Sequence, residues 1–463
     1  MTATITRRLS LEDQRSRGRV SLPGDEAYIA AISIWPKPVG PLPRAVVHCH
    51  DAEDVQFAIR MARECDLPVS VRSGGHDWAG RALCEGIVID LTAMRNVVVD
   101  PVQLSARVAG GARAGDVLAA SDPLGLAAVT GSVGTVGMAG LTLGGGYGPL
   151  SGRFGLALDN LLAAEVVLAD GRVAVASDED EPELLWALRG GGGNFGVVTR
   201  MLCRVHRLGS IWSGTLFFPL SEARAVLQGC AEIAAAAPNG LTAQVGCIAG
   251  PTGSLSVFVW PTWSGPPSEG ERQVAPFLKL GTVVAGSIEA KSYLASATSF
   301  DTYLSHGLAT FMETCWVPSL GSATIDAIIE AMETAISPGC AVITHEFKGA
   351  AAQVPLQATA FGLRREHVLI EILATSAGNG GEHEVRLHRD WARATVRAFD
   401  PVALPGGYPN LLAPGEVARA ALAYGPNAQR LAKAKRRYDP DDLFRSAIPL
   451  PLATQSRREG VRG

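Results

Sequence analysis

Gly131-Ser132-Val133-Gly134-Thr135-Val136-Gly137-Met138-Ala139-Gly140-Leu141-Thr142-Leu143-Gly144-Gly145-Gly146-Tyr147-Gly148 is the stretch around which the 463-residue chain is organised. Eight of these eighteen residues are glycine, and none is proline, asparagine or charged. Flexible linkers of that glycine content are rich in serine. Here the glycines alternate with Val, Met and Leu, so the stretch reads as buried. A buried backbone needs partners for its N–H groups, and a backbone without Cβ atoms can approach a ligand closely. A large, acceptor-rich group such as a cofactor pyrophosphate meets both conditions.

The totals bound the rest. The length suits two or three domains. With 47% hydrophobic and 19% charged residues and a net charge of −4, nothing draws the chain to nucleic acid or to an anionic membrane. The 52 glycines exceed the usual share of about 7%, and they cluster at 73–80, 131–148 and 190–196. The first residues, through Gly18, have no apolar core after Arg7 and Arg8, so they read as a leader that is neither a secretory signal nor a span. No later run reaches the roughly 18 apolar residues of a membrane helix. Eight scattered cysteines without a CxxC pair fit reduced thiols in a cytoplasmic protein. The expected partners are a small-molecule substrate and, at most, a second copy of the chain: monomer or homodimer.

Working outward, Ala45–His48 reads as a strand, and Asp51 as the cap of a helix to Cys65 with Val55, Ile59 and Ala62 on one face. The strand 67–72 runs into Ser73-Gly74-Gly75-His76. Short strands follow at 87–91, 97–99 and 104–108, then a short helix at 114–120. Asp170-Gly171 between two apolar alternations signals a hairpin. Pro182 opens a helix to Arg189, and a strand begins at Val197. Beyond residue 205 the texture changes. Alanine-rich helical stretches (223–236, 325–335) and strands (216–219, 255–260, 341–347, 368–374) suggest one antiparallel sheet backed by helices. A basic helix, 429–437, lies near the end.

Four motifs invite other chemistries. Gly191-Gly192-Gly193-Asn194-Phe195-Gly196 satisfies G-x-G-x-x-G, but a helix precedes it and a strand follows, the reverse of a dinucleotide fingerprint. His48-Cys49-His50-Asp51 has no second cluster at ligand spacing, so no metal is expected. Ser73 and Ser132 lack a G-x-S-x-G elbow, which argues against serine hydrolysis. The run Lys433–Arg437 is a solvated helix face. His76, at a strand end behind two glycines, is a candidate nucleophile.

In combination, one ordered set of motifs carries a resemblance. It comprises Arg72-Ser73-Gly74-Gly75-His76, the opening stretch, Tyr147-Gly148-Pro149-Leu150-Ser151 with Gly155, and Asp159-Asn160-Leu161. It continues with Trp186 through Thr199, Tyr408-x-Asn410, and Arg437-Tyr438-Asp439-Pro440-x-x-Leu443-Phe444. Together they resemble FAD-linked oxidases related to berberine bridge enzyme and bacterial 6-hydroxy-D-nicotine oxidase, of the vanillyl-alcohol-oxidase type, over nearly the whole chain.

That resemblance implies an α+β protein. A two-subdomain, PCMH-type FAD-binding domain would comprise 1–205 and be completed by 405–463, with a substrate domain at 206–404. The cofactor would be FAD, its pyrophosphate on N–H groups of 73–76 and 131–137. The implied contacts are Arg72, Ser73, Gly74, Gly75, His76, Asp77, Gly131, Ser132, Val133, Gly134, Thr135, Gly137, Thr142, Gly145, Gly148, Val198, Tyr408 and Asn410. His76 would be bonded covalently to the flavin 8α-methyl. Many relatives add a second link from a cysteine, but Val133 stands at that position, so a single link is expected. Gly131 matches a site that controls dioxygen access and would leave room for it. Thr359-Ala360-Phe361 with Arg364 matches a family turn leading into strand 368–374, where alternation sets Leu369, Glu371 and Leu373 on one face. A lone carboxylate there is costly unless paired or turned to a wet cavity, so Glu371 and Tyr408 are the candidate catalytic residues. The implied reaction is hydride transfer from an alcohol or amine, a secondary metabolite, to FAD, with dioxygen as oxidant and hydrogen peroxide as product. A flavin dehydrogenase using another acceptor, or a non-redox protein on the same fold, are the alternatives.

Overall fold

The computed structural model describes residues 18–451 except 39, 41, 302–305 and 377–380; the leader reading falls mostly on 1–17, outside the described residues. Asp51, extended at φ −152°, accepts the N–H of Asp54 and so starts the helix Ala52–Cys65. The helix stops where Asp66 turns left-handed at φ 52°. Its apolar residues Val55, Ala58, Ile59 and Ala62 pack on Val47, Val69, Ile87 and Ile89. These strand residues belong to a four-stranded sheet in which Ala45–His48, Ile87–Asp90 and Val69–Arg72 run parallel. Phe444, from the chain's last described segment, joins the same core.

A second sheet is antiparallel. Its path runs Val97–Asp100, Ser105–Ala109, Val197–Arg207, Leu161–Val167, Val173–Ala176, with Leu126–Ala128 also pairing Val197–Arg207. Gly171, at φ 85°, makes the expected turn between the last two of these. The helix Pro182–Gly191 precedes Val197–Arg207. The order at Gly191–Gly196 is therefore helix, turn, strand, and Asn194 closes the turn by donating to the carbonyls of Gly191 and Ile448.

The third sheet has nine strands, all antiparallel. Its central order is Leu255–Trp263, Leu241–Ala249, Cys340–Phe347, His367–Ser376, Ala309–Val317. Cys247, Val342, Ile370 and Ile372 face helices Ala223–Ala236, Ser322–Glu333 and Gly381–Ala398. Opposite pleats carry Leu369 and Trp316, which pack on Tyr147, Leu156 and Leu158 of the first half. The sheet thus turns one face to helices and the other to the glycine stretch. Two of its strands, Leu241–Ala249 inside the sheet and Ala309–Val317 at the end of its order, and the 18-residue helix Gly381–Ala398 were not anticipated from sequence. The helix carries a readable signal nonetheless: its buried His388, Trp391, Ala392 and Thr395 recur at i, i+3, i+4, i+7.

Asp159 and Arg364, from two separate motifs, meet across the halves. Arg364 donates to both carboxylate oxygens of Asp159, at 3.0 and 2.7 Å, and to Thr359. Both ionic side chains are less than a tenth exposed. Asp439, in the C-terminal motif, accepts from Lys435 and from the N–H groups of Leu443 and Phe444; Lys435 is buried by this pairing, so the run 433–437 is not wholly the solvated face expected of it. That network folds the chain end back onto Asn194, whose carbonyl also receives Lys435.

Candidate active site

Strand Val69–Arg72 delivers Ser73-Gly74-Gly75-His76 directly against the glycine stretch. Gly74 and Gly137 touch backbone to backbone: a Cβ on either would collide with the main-chain nitrogen of the other. Among the described residues, the main-chain N–H groups of 73–76 and of 135–137 donate no hydrogen bond to protein. Four side-chain atoms on the same two segments, Arg72 Nε, His76 Nε2, Thr135 Oγ1 and Thr142 Oγ1, are buried with no partner there. Buried polar groups left unpaired are costly. A cofactor rich in phosphate and ring acceptors fits this set of free donors.

Other residues of the expected set have protein partners. Arg72 donates to Asp90 at 3.4 Å, which orients the strand end. Ser73 Oγ donates to Gly110, whose missing Cβ makes room for the Val198 carbonyl; Val198 is buried in its strand. Asp77 gives both carboxylate oxygens to Arg81, and Arg81 reaches on to the Asn410 carbonyl. The Gly134 N–H, expected to serve a pyrophosphate, is already taken by Asp301 at 2.8 Å. Gly145, at φ 154°, lies against the Tyr408 ring, and Gly148 admits the Thr130 carbonyl. A Cβ on Gly131 would meet the Leu141 Cδ1 methyl, so this glycine lets Leu141 pack closely. Ser132 and Val133 are half-buried beside it.

His76 is held by aromatic rings. Trp35 stacks on it, with centroids 5.7 Å apart and planes 13° from parallel. His306 meets it edge-on at 6.0 Å. Burial, with the nearby His306 and Arg113, lowers the imidazole to about 4. It is therefore neutral at physiological pH, as a nucleophilic nitrogen must be. His48, from the rejected metal motif, pairs instead with Ser21 and Asp90.

On the facing sheet, Glu371 pairs across to Ile343 and Thr314, and its neighbour Leu369 pairs to His345. The shared pleat puts Glu371 and His345 on the surface turned to the glycine stretch. His345 Nε2 lies 3.2 Å from Glu371 Oε1 and 3.1 Å from the Gln244 side-chain amide. Ser132, Gly148, Thr242, Gln244, Trp260 and His345 line a small cavity between the two halves. Tyr408 Oη accepts the Gly146 N–H at 2.9 Å, and Asn410 lies 3.5 Å from it. Burial pushes the Tyr408 phenol up to about 12, and the Glu371 charge adds to this. Tyr408 thus stands here as a neutral hydroxyl. Its lone pairs are engaged, which leaves its hydrogen to donate.

Beside it, Tyr147 Oη is 2.7 Å from His367 Nε2, while His367 Nδ1 is 2.7 Å from the Arg365 carbonyl. A carbonyl only accepts, so Nδ1 carries the hydrogen and Tyr147 donates to Nε2. Burial holds His367 at about 3 and Tyr147 well above its ordinary range. Sequence reasoning missed His345, Gln244 and His367. Each becomes visible only when separate strands are placed side by side.

Comparison with known proteins adds independent findings. Residues 43–177 match the family described as FAD binding domain, and 407–451 match the family described as berberine and berberine like. (R)-6-hydroxynicotine oxidase of Paenarthrobacter nicotinovorans is 31% identical over 93% of this chain and 95% of its own. An FAD-linked oxidoreductase of Aspergillus terreus is 30% identical over 94% of both chains. The crystal structure of 6-hydroxy-D-nicotine oxidase from Arthrobacter nicotinovorans superposes with a TM-score of 0.83, at 30% identity, over 93% of this chain and 97% of that one.

Proposed function

The chain belongs to the berberine bridge enzyme-like family of FAD-linked oxidoreductases, and from that premise we propose that it is an oxidase of a small alcohol or amine, with FAD joined covalently to His76 alone. When bound, FAD supplies a two-electron acceptor that takes hydride from a substrate C–H and passes the electrons to dioxygen, giving hydrogen peroxide. Glu371 takes the proton from the substrate O–H or N–H. His345, 3.2 Å away, holds the carboxylate in place. Tyr408, fixed on the Gly146 N–H, donates its hydrogen to orient the reacting group. Residues 73–76 and 135–137 hold the pyrophosphate on their free N–H groups, with Thr135 and Thr142 as further donors. Val133 offers no sulfur for a second link.

One observation carries this reading. The Glu371 carboxylate stands on the sheet face turned to the glycine stretch, held 3.2 Å from His345. The hydroxynicotine relative favours a cyclic amine, and a secondary metabolite handled in the cytoplasm by a monomer or homodimer fits the chain as read.

The test is anaerobic mixing of purified protein with (R)-6-hydroxynicotine and a panel of other secondary amines and alcohols. The proposal expects one member to bleach the visible flavin band, and air to restore it with one hydrogen peroxide per turnover. Recovery only with a quinone or dye would make the protein a dehydrogenase. An unchanged flavin spectrum during substrate conversion would overturn the redox reading.

A further inference from the structure

Trp35 lies outside every motif of the flavin fold, yet it contacts the expected attachment residue. Its indole covers the His76 imidazole at 5.7 Å and 13°. Its backbone is equally engaged. The Trp35 N–H donates to the carbonyl of Gly75, the residue before His76, at 2.8 Å. Its own carbonyl accepts the N–H of Gly307 at 2.8 Å, and Lys37 continues the pairing to the Leu308 carbonyl at 2.7 Å. Leu308 leads into strand Ala309–Val317 of the third sheet. Trp35 is only 8% exposed. One residue thus ties the His76 loop to the substrate-domain sheet and fixes the plane of the imidazole. On another side, His306 meets that imidazole edge-on at 6.0 Å.

We infer that Trp35 is a positioning residue for covalent flavin attachment, holding the His76 ring between itself and His306 in the one orientation from which a ring nitrogen reaches the flavin 8α-carbon. The inference rests on the proposed link at His76. In that link a bond forms between the imidazole nitrogen and the 8α-carbon. One C–H hydrogen and the imidazole N–H hydrogen leave as protons. The electron pair of the broken C–H bond stays in the isoalloxazine until dioxygen takes two electrons and two protons as hydrogen peroxide. Such a reaction between two held partners depends on orientation: misplacing one group by about 1 Å can cost on the order of a hundredfold. A histidine free to turn about its side-chain bonds loses this advantage, while its affinity for FAD is unaffected.

The experiment purifies wild type, W35L and W35F, incubates each with excess FAD in air, and separates total flavin from flavin that stays with acid-precipitated protein. Wild type is expected to carry nearly all its flavin in the pellet. W35L is expected to bind FAD with at least a tenfold smaller covalent fraction. W35F, which keeps a ring, is expected to reach completion severalfold more slowly. A W35L covalent fraction equal to wild type overturns the inference and leaves the attachment at His76 standing. Should W35L not be recovered folded, an unchanged rate in W35F overturns it. A colourless wild-type pellet overturns the attachment itself, and the inference with it.

Discussion

The hydroxyl of Tyr408 accepts the main-chain N–H of Gly146 at 2.9 Å, and so a side chain of the C-terminal segment is fixed to the glycine stretch. Its burial, against the pull of that contact, sets its chemistry. At about 12, the phenol does not titrate in the working range. Y408F is expected to raise KM and lower kcat by roughly tenfold, a typical loss for one charge-neutral hydrogen bond and its orienting effect, without moving the pH profile. E371Q should instead lower kcat by roughly 10²–10⁴-fold, the usual range for a lost general base. Steady-state kinetics across pH with the panel substrate that bleaches the flavin checks both. A shifted profile in Y408F would move the base from Glu371 to Tyr408.

Arg364 and Asp159 should matter for stability more than for chemistry. Their pair is buried and joins the two halves of the protein. Removing one partner of such a pair strands a charge and costs about 3–5 kcal/mol. R364A is therefore expected to lower the denaturant midpoint strongly, and R364M/D159L to recover much of the loss. Equal midpoints for R364A and wild type would remove the pair from the account.

The seam between Gly74 and Gly137 leaves no room for a methyl group. G137A is expected to destabilise the fold by about 1–3 kcal/mol, the range for overpacking, and to yield protein largely without FAD. Absorbance of the purified variant reads the second effect and thermal melting the first. A G137A protein with wild-type flavin content would show that the two loops do not form the cradle.

Acid should weaken the fold through His367. Its folded value, about 3, lies below the ordinary 6.5, so the unfolded chain takes up the proton first. The contribution is complete above about 6.5 and is lost as pH falls from there toward about 3. Protonation would also turn the Nε2 acceptor of the Tyr147 hydroxyl into a donor. Melting temperatures are expected to drop between about pH 7.5 and about pH 4.5, and to drop less in H367N. Parallel curves for the two proteins would contradict this.

The cradle was legible in the sequence because its requirements are local. Gly74, Gly137 and Gly145 are glycine for reasons of close approach, and such reasons leave glycine patterns in short windows. The antiparallel sheet behind the site was legible in outline from strands such as 341–347 and 368–374. The strand Leu241–Ala249 was not, because Thr242, Ala243 and Gly246 blunt its alternation. What stayed hidden is what register creates. His345 meets Glu371 only because Leu369 pairs with His345 across two strands. Trp35 meets His76 only through a loop that no periodicity marks.

The most direct measurement is peptide mass spectrometry of the acid-precipitated, proteolysed protein. The account predicts a yellow pellet, the flavin mass on the peptide containing His76, and an unmodified peptide through Val133. A colourless pellet, or flavin mass on any peptide other than that of His76, would contradict it.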